Sequence, residues 1–238
     1  MFSGLILAFQ FLTRIPIPIT VNFDEKNLCK SFYFFPFVGA VIGALTALPL
    51  FLLTTRVELA ALFAVLVHVF LTGGLHIDGL CDVADGFFSS REKRRILEIM
   101  KDPNAGTFGV IAIVLSLLFR FVLFKAIYHQ PFLLVLSCLS SRLVTLPVIA
   151  FSKPVRKNGL GELFHRSISK ASFIIWFSLI PLLIFIDAKL LVIPCADMLL
   201  CLFVLFLAHK KIGGTTGDVN GAIIETVEIL NLLIFAFI

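Results

Sequence analysis

At 238 residues the chain is sized for one domain. Hydrophobic residues make up 59% of it, charged residues 15%, and the mean hydropathy is +1.05, which excludes an ordinary soluble domain, nearer half apolar and a quarter charged. The net charge of +5 is spread over loops and calls for no nucleic acid. The first stretch, Met1–Thr13, is apolar but short and ends in Arg14-Ile15-Pro16-Ile17-Pro18, a helix-stopping run. It has no basic n-region and no small-residue cleavage site, so an interfacial or re-entrant helix is expected, not a signal peptide. Crossing the roughly 30 Å hydrocarbon core takes about 20 residues. Runs of that kind lie near 33–55, 57–76, 107–128, 131–151, 171–187, 190–208 and 219–238. The fifth is short and carries Pro181. The expected fold is all-α: a polytopic membrane bundle of about six to seven spans plus the short N-terminal helix, forming one catalytic domain over 1–238.

Orientation follows from Lys and Arg. Of the 20, 15 fall in four stretches, 14–30, 91–101, 153–170 and 210–211. Seven spans put all four on one side, the positive-inside pattern, with the C-terminus opposite. The five cysteines (Cys29, Cys81, Cys138, Cys195, Cys201) show no CxxC spacing and imply no disulfide framework.

The most informative segment is Gly73–Gly86. Asp78, Asp82 and Asp85 stand at i, i+4 and i+7, one face of a helix, three carboxylates within eight residues. Like charges so placed need a cation, and a hard ion such as Mg²⁺ with phosphate oxygens in its shell is the usual partner. The expectation is a metal-assisted phosphoryl-transfer site on the cytoplasmic side of a membrane. His76 adjoins the trio as an acid–base candidate, weighed against a plain helix-end hydrogen bond. Cys81, a soft ligand, is a poor one for such an ion.

The loop that follows is basic, and Arg91–Lys101 has helical spacing. Arg91, Lys93 and Arg94 read best as topology determinants. Lys101, Asp102, Gly106 and Thr107 lead into the next span, where free backbone amides can bind phosphate. Arg142, inside a span, either holds phosphate or pairs with Asp197, Glu225 or Glu228. The run Arg156–His165 is a basic, glycine-containing loop, either an anion contact or a turn. Gly213–Ala222 holds four glycines and two threonines. There Gly214 and Thr215 offer backbone donors, and Asp218 either joins the metal site or caps the last span.

Taken together, Phe11–Pro16, Phe35–Gly43, Gly73–Gly86, Glu98–Gly109 and Gly213–Ala222 resemble, in order, the signature blocks of the cobalamin synthase family, the adenosylcobinamide-GDP ribazoletransferases. The aspartate core alone is also similar to that of the CDP-alcohol phosphotransferases. The arginine that usually follows there is absent, however, and so is the second half with two more aspartates. The resemblance implies a Mg²⁺-dependent inner-membrane enzyme that joins α-ribazole, or its 5′-phosphate, to adenosylcobinamide-GDP. The products are adenosylcobalamin, or its phosphate, and GMP. Asp82, central in the trio, is then the catalytic candidate, with Asp78, Asp82 and Asp85 on the metal. Lys101 and Arg142 would hold phosphates. The lipid bilayer is the other expected partner, and a homo-oligomer is left open. A transporter, or a lipid phosphotransferase acting on a CDP-alcohol, is the alternative.

Overall fold

The structure, a computed structural model, describes residues 2–156, 159–185 and 187–237, with 182–184 by backbone alone. Among these residues the fold is all-α, and the one β-type contact is an isolated bridge between Pro154 and Thr215. The helices in chain order are α1 (Phe2–Leu12), α2 (Glu25–Phe32), α3 (Phe35–Leu52), α4 (Val57–Thr72), α5 (Leu75–Phe88) and α6 (Lys93–Ile99). They continue with α7 (Thr107–Ala126), α8 (Leu133–Phe151), α9 (Leu160–Ser167), α10 (Ala171–Phe177), α11 (Val192–Ile212) and α12 (Gly217–Phe235).

Four helical stretches are long and apolar enough to cross a membrane: α3, α7, α8 and Ala188–Ile212, which runs into α11. The pair α4–α5 passes only as a unit bent by 88°, which brings the count to five. The expected six to seven is therefore trimmed in two places. The run 171–187 breaks into the seven-residue α10 and the 3₁₀ turn Ile180–Phe185 around Pro181, and a second 3₁₀ turn, Ala188–Leu191, follows it. Ile186 lies outside the described residues, as does Ile238 at the end of the last run. The helix α12 has the length, at 19 residues, but carries Asp218, Glu225 and Glu228. On α7 and α11 large apolar side chains point outward, among them Val122 at 58%, Leu199 at 69% and Phe206 at 62% exposure. Such a surface would aggregate in water, and lipid is the solvent that covers it.

The bend between α4 and α5 is built from two glycines. Gly73 and Gly74 have φ of 61° and 71°, a left-handed conformation that costs glycine little. A Cβ on Gly73 would collide with the Arg14 side chain, and Arg14 N–H donates to Leu71 O at 2.7 Å. The Arg14 turn is thus folded onto the bend. We read α4 as the spanning arm and α5 as turned out of it. α5 then runs against the first turns of α7 and α12.

The buried carboxylates of α12 are neutralised from three neighbouring helices. Arg120 of α7 donates to Glu225 at 2.7 Å and pairs with Glu228 at 2.6 Å. Arg142 of α8 pairs with Glu228, and His68 of α4 lies 3.3 Å from the same carboxylate. Asp197 of α11 accepts from Ser140, with Asn231 at 3.5 Å. Two guanidiniums against two carboxylates make the cluster formally neutral, the condition for holding charge in an apolar bundle.

Candidate active site

The carboxylates of α5 stand where three chain segments converge. The expected helix is present, and Asp78, Asp82 and Asp85 line one side of it. Asp218, in the first turn of α12, joins them. α12 comes so close that a Cβ on Gly79 would sit 2.8 Å from Asp218 O. Burial, then the negative charges of Asp218 and Asp78, push the Asp82 carboxyl up to about 7. No three of the four aspartates bring one oxygen each to within 4.8 Å of one another. Mg²⁺ is nonetheless suited to the set, because it takes one or two carboxylates and completes its shell with water and substrate phosphates. The set whose donor atoms do lie that close is His68, Cys138 and Glu228, but Arg120 and Arg142 already occupy Glu228.

Asp85 has a second task. It accepts from Gly106 N–H at 2.7 Å and Gly109 N–H at 2.8 Å, and so caps α7 from outside its own segment. The amide of Gly106, expected to be free for phosphate, is spent on this carboxylate. Thr107, next in the turn, is exposed. Asp102 accepts from the backbone and side chain of Asn104, closing a tight turn. Asp85, Asp102, Gly106 and Thr107 line an open cavity of about 690 Å³, together with Arg91 and Arg95. Arg91 reads as a topology charge in the sequence and Arg95 is not singled out there; in the structure both line the cavity, Arg95 from α6 and Arg91 from the segment before it. Lys101 lines a separate shallow surface with Lys93 and Arg94.

The Thr215 amide is not a free donor, and Gly214 marks a close approach to Lys153. Thr215 N–H donates to Lys153 O at 2.9 Å, Val155 N–H donates to Thr215 O at 3.0 Å, and a Cβ on Gly214 would strike Lys153 O. The cap of α12 is Thr216, whose hydroxyl accepts from Val219 N–H, so Asp218 is free of that duty. The bridge at Pro154 delivers the next arginine. Arg156 Nη1 lies 3.5 Å from Asp218 Oδ2, while its Nε and Nη2 are buried with no partner. Residues 157–158 of that loop lie outside the described residues. Arg142, the other expected phosphate ligand, is fully buried in the ion network and lines neither cavity. A guanidinium so deep is stable only beside its carboxylate.

His76 is 4% exposed, and burial followed by the positive charge of Arg142 drives its imidazole down to about 3. It stays neutral at physiological pH, which removes it as an imidazolium acid. Burial and the surrounding carboxylates, Asp85 first, raise the Cys81 thiol to about 11. Asp78 and Asp218 line a second, smaller cavity of about 170 Å³ with His76 and Asn220.

Fold and site together define a polytopic helical membrane protein with an acidic centre. The match to the family Cobalamin-5-phosphate synthase runs over residues 4–236, and the chain belongs to that family. A relative from Treponema denticola, named adenosylcobinamide-GDP ribazoletransferase, is 41% identical and covers 99% of this chain and 98% of its own length. Proteins of the same name from Caldanaerobacter subterraneus and Clostridium tetani are 37% and 33% identical, over 99% and 97% of this chain and 98% and 94% of theirs. No solved structure matches the chain. Family membership sets aside the transporter and the CDP-alcohol transferase.

Proposed function

We propose that this chain is a Mg²⁺-dependent transferase that joins α-ribazole, or its 5′-phosphate, to adenosylcobinamide-GDP. The products are adenosylcobalamin, or its phosphate, and GMP. The observation that carries the reading is the four-aspartate cluster with the two unpartnered donors of Arg156 beside it. A pyrophosphate brings both missing components, oxygens for an arginine fork and ligands for a cation held by carboxylates.

Asp78 and Asp85 are seven residues apart, or about 10 Å along the helix axis. Each lines a different cavity, so the acidic stripe has room for a substrate on either side. Asp82 lies between them. A hydroxyl oxygen of the acceptor nucleoside forms a bond to the phosphorus on the cobinamide side of the pyrophosphate. The bond from that phosphorus to the bridging oxygen breaks, and GMP leaves with the electron pair. Asp82, the central carboxylate of the stripe, takes the hydroxyl proton. Arg156 orients the phosphates, and Arg91 and Arg95 attract the guanosine side of the anion into the larger cavity. Asp78, Asp82 and Asp85 would hold Mg²⁺, which would supply positive charge against the leaving phosphate. The basic loops support a placement of this centre on the cytoplasmic face of the inner membrane.

The test is turnover by purified protein with both substrates. Activity should vanish with a chelator and return with Mg²⁺. Asp82→Asn should insert, purify and melt like the parent while losing at least about a hundredfold in kcat. Near-parental turnover by Asp82→Asn would remove it from the chemistry.

A further inference from the structure

The smaller cavity is built unlike the larger one. Its walls are aromatic: Phe11 lies nearly parallel to Phe35, ring centroids 6.1 Å apart, and meets Phe164 edge-on at 5.0 Å. Two polar side chains on its lining have no one to bond. His76 Nδ1 and Asn220 Oδ1 are both buried and without a hydrogen-bond partner. Leaving such an atom unpaired costs about 1–3 kcal/mol, so a site that keeps two of them is built to be completed by something else.

Gly217 gives an independent sign. It opens α12, lines the cavity, and a Cβ there would meet nothing within 4 Å. Its φ is not in the left-handed region, so neither backbone nor packing demands glycine. What an added side chain would take is space at the cavity.

We propose that this cavity binds the heterocyclic base of the acceptor nucleoside. It would hold an apolar, flat ring system against the phenylalanines, with a ring nitrogen accepting from His76 Nδ1–H. Asn220 would take a sugar hydroxyl, and Asp78 and Asp218 receive the sugar edge beside Asp82. The volume of about 170 Å³ fixes the class. An apolar cavity of about 150 Å³ takes benzene, so this one takes a compact ring system and excludes a corrin macrocycle. The assignment rests on the transfer reading above, and it adds that base selectivity is set by Phe11, Phe164 and Gly217.

The experiment uses the full chain in detergent micelles or nanodiscs. Gly217→Val and Leu160→Phe narrow the cavity from two elements, and Leu160 is exposed enough to tolerate the change. For each, the KM values for α-ribazole and for adenosylcobinamide-GDP are measured separately, with calorimetric binding of α-ribazole alone. The expected result is a rise of about tenfold in KM and Kd for α-ribazole. The KM for the corrinoid substrate and the melting temperature should not move. An α-riboside whose base lacks the two ring methyls should lose less. Unchanged α-ribazole constants in both variants, or equal losses for the two substrates, would overturn the pocket while leaving the transfer reading intact. Conversely, a parental protein that binds α-ribazole in a variant-sensitive way but never forms product would keep the pocket and sink the transfer reading.

Discussion

Arg156 shows how one residue acquires meaning from its setting. In the sequence it is one basic residue in a loop with Lys153 and Arg166. In the structure the bridge between Pro154 and Thr215 fixes it beside Asp218 with two buried donors unused. The guanidinium is planar and forked, and a lysine supplies only a point charge. Arg156→Ala should therefore lower kcat by about a hundredfold, in line with removal of one preorganised donor from a charge-developing site. Arg156→Lys should recover only part of it. Because the side chain is 30% exposed and its one ion pair is long at 3.5 Å, the melting temperature should hardly change. A large fall in stability for Arg156→Ala would make the residue structural instead. Arg142 is the converse case: the sequence marks it as a costly charge inside a span with Asp197, Glu225 or Glu228 as candidate partners, and the packing of α8 on α12 selects Glu228.

At the scale of elements, the site is a matter of how closely α5 approaches α7 and α12. Glycines set both distances. A Cβ on Gly109 would collide with Asp85 and Cys81, and one on Gly79 would lie 2.8 Å from the Asp218 backbone. Backbone cannot swing aside as a long side chain can. Gly79→Ala should thus push α5 off α12, lower stability by about 1–3 kcal/mol and separate Asp82 from Asp218. Gly221→Ala, whose nearest neighbour would be His76 O at 3.3 Å, should cost less. Melting curves and kcat for the pair measure the gradient, and equal effects would mean the approach of α5 is not what the glycine sets. Most of the element positions were legible beforehand. The helix carrying the three aspartates and the apolar runs follow from periodicity, whereas the expected run 57–76 passes straight through the Gly73–Gly74 bend. What was not legible is the pairing between elements. Asp85 capping α7 depends on a contact 21 residues away, and the Thr215 amide is spent on a strand-like contact with Lys153. No local pattern announces either. The run 171–187 also failed as a span, because apolar composition alone does not show that the chain there turns into 3₁₀ geometry.

For the whole molecule the central fact is a charged cluster inside an apolar bundle, adjoining the site through His76. Glu228 is shared by Arg120, Arg142 and His68, and Glu225 is held by Arg120 and Ser116. The cluster joins α4, α7, α8 and α12, the helices that carry or adjoin α5 and the two glycine-rich loops. It therefore fixes the frame on which the carboxylates are spaced. Breaking it on one side leaves a buried charge unanswered, which costs about 3–5 kcal/mol. Glu228→Gln should accordingly be severely destabilised in detergent, and transfer activity should fall with the folded fraction. Removing a matched pair is different. Arg142→Met combined with Glu228→Gln leaves one guanidinium against one carboxylate, Arg120 on Glu225, and keeps the cluster neutral. The double variant should be more stable than Glu228→Gln alone, a non-additivity expected only of residues in direct contact. Equilibrium unfolding of the parent, both single variants and the double variant supplies the cycle. Strict additivity would show that the pair is not coupled and that α8 and α12 are held by apolar packing alone.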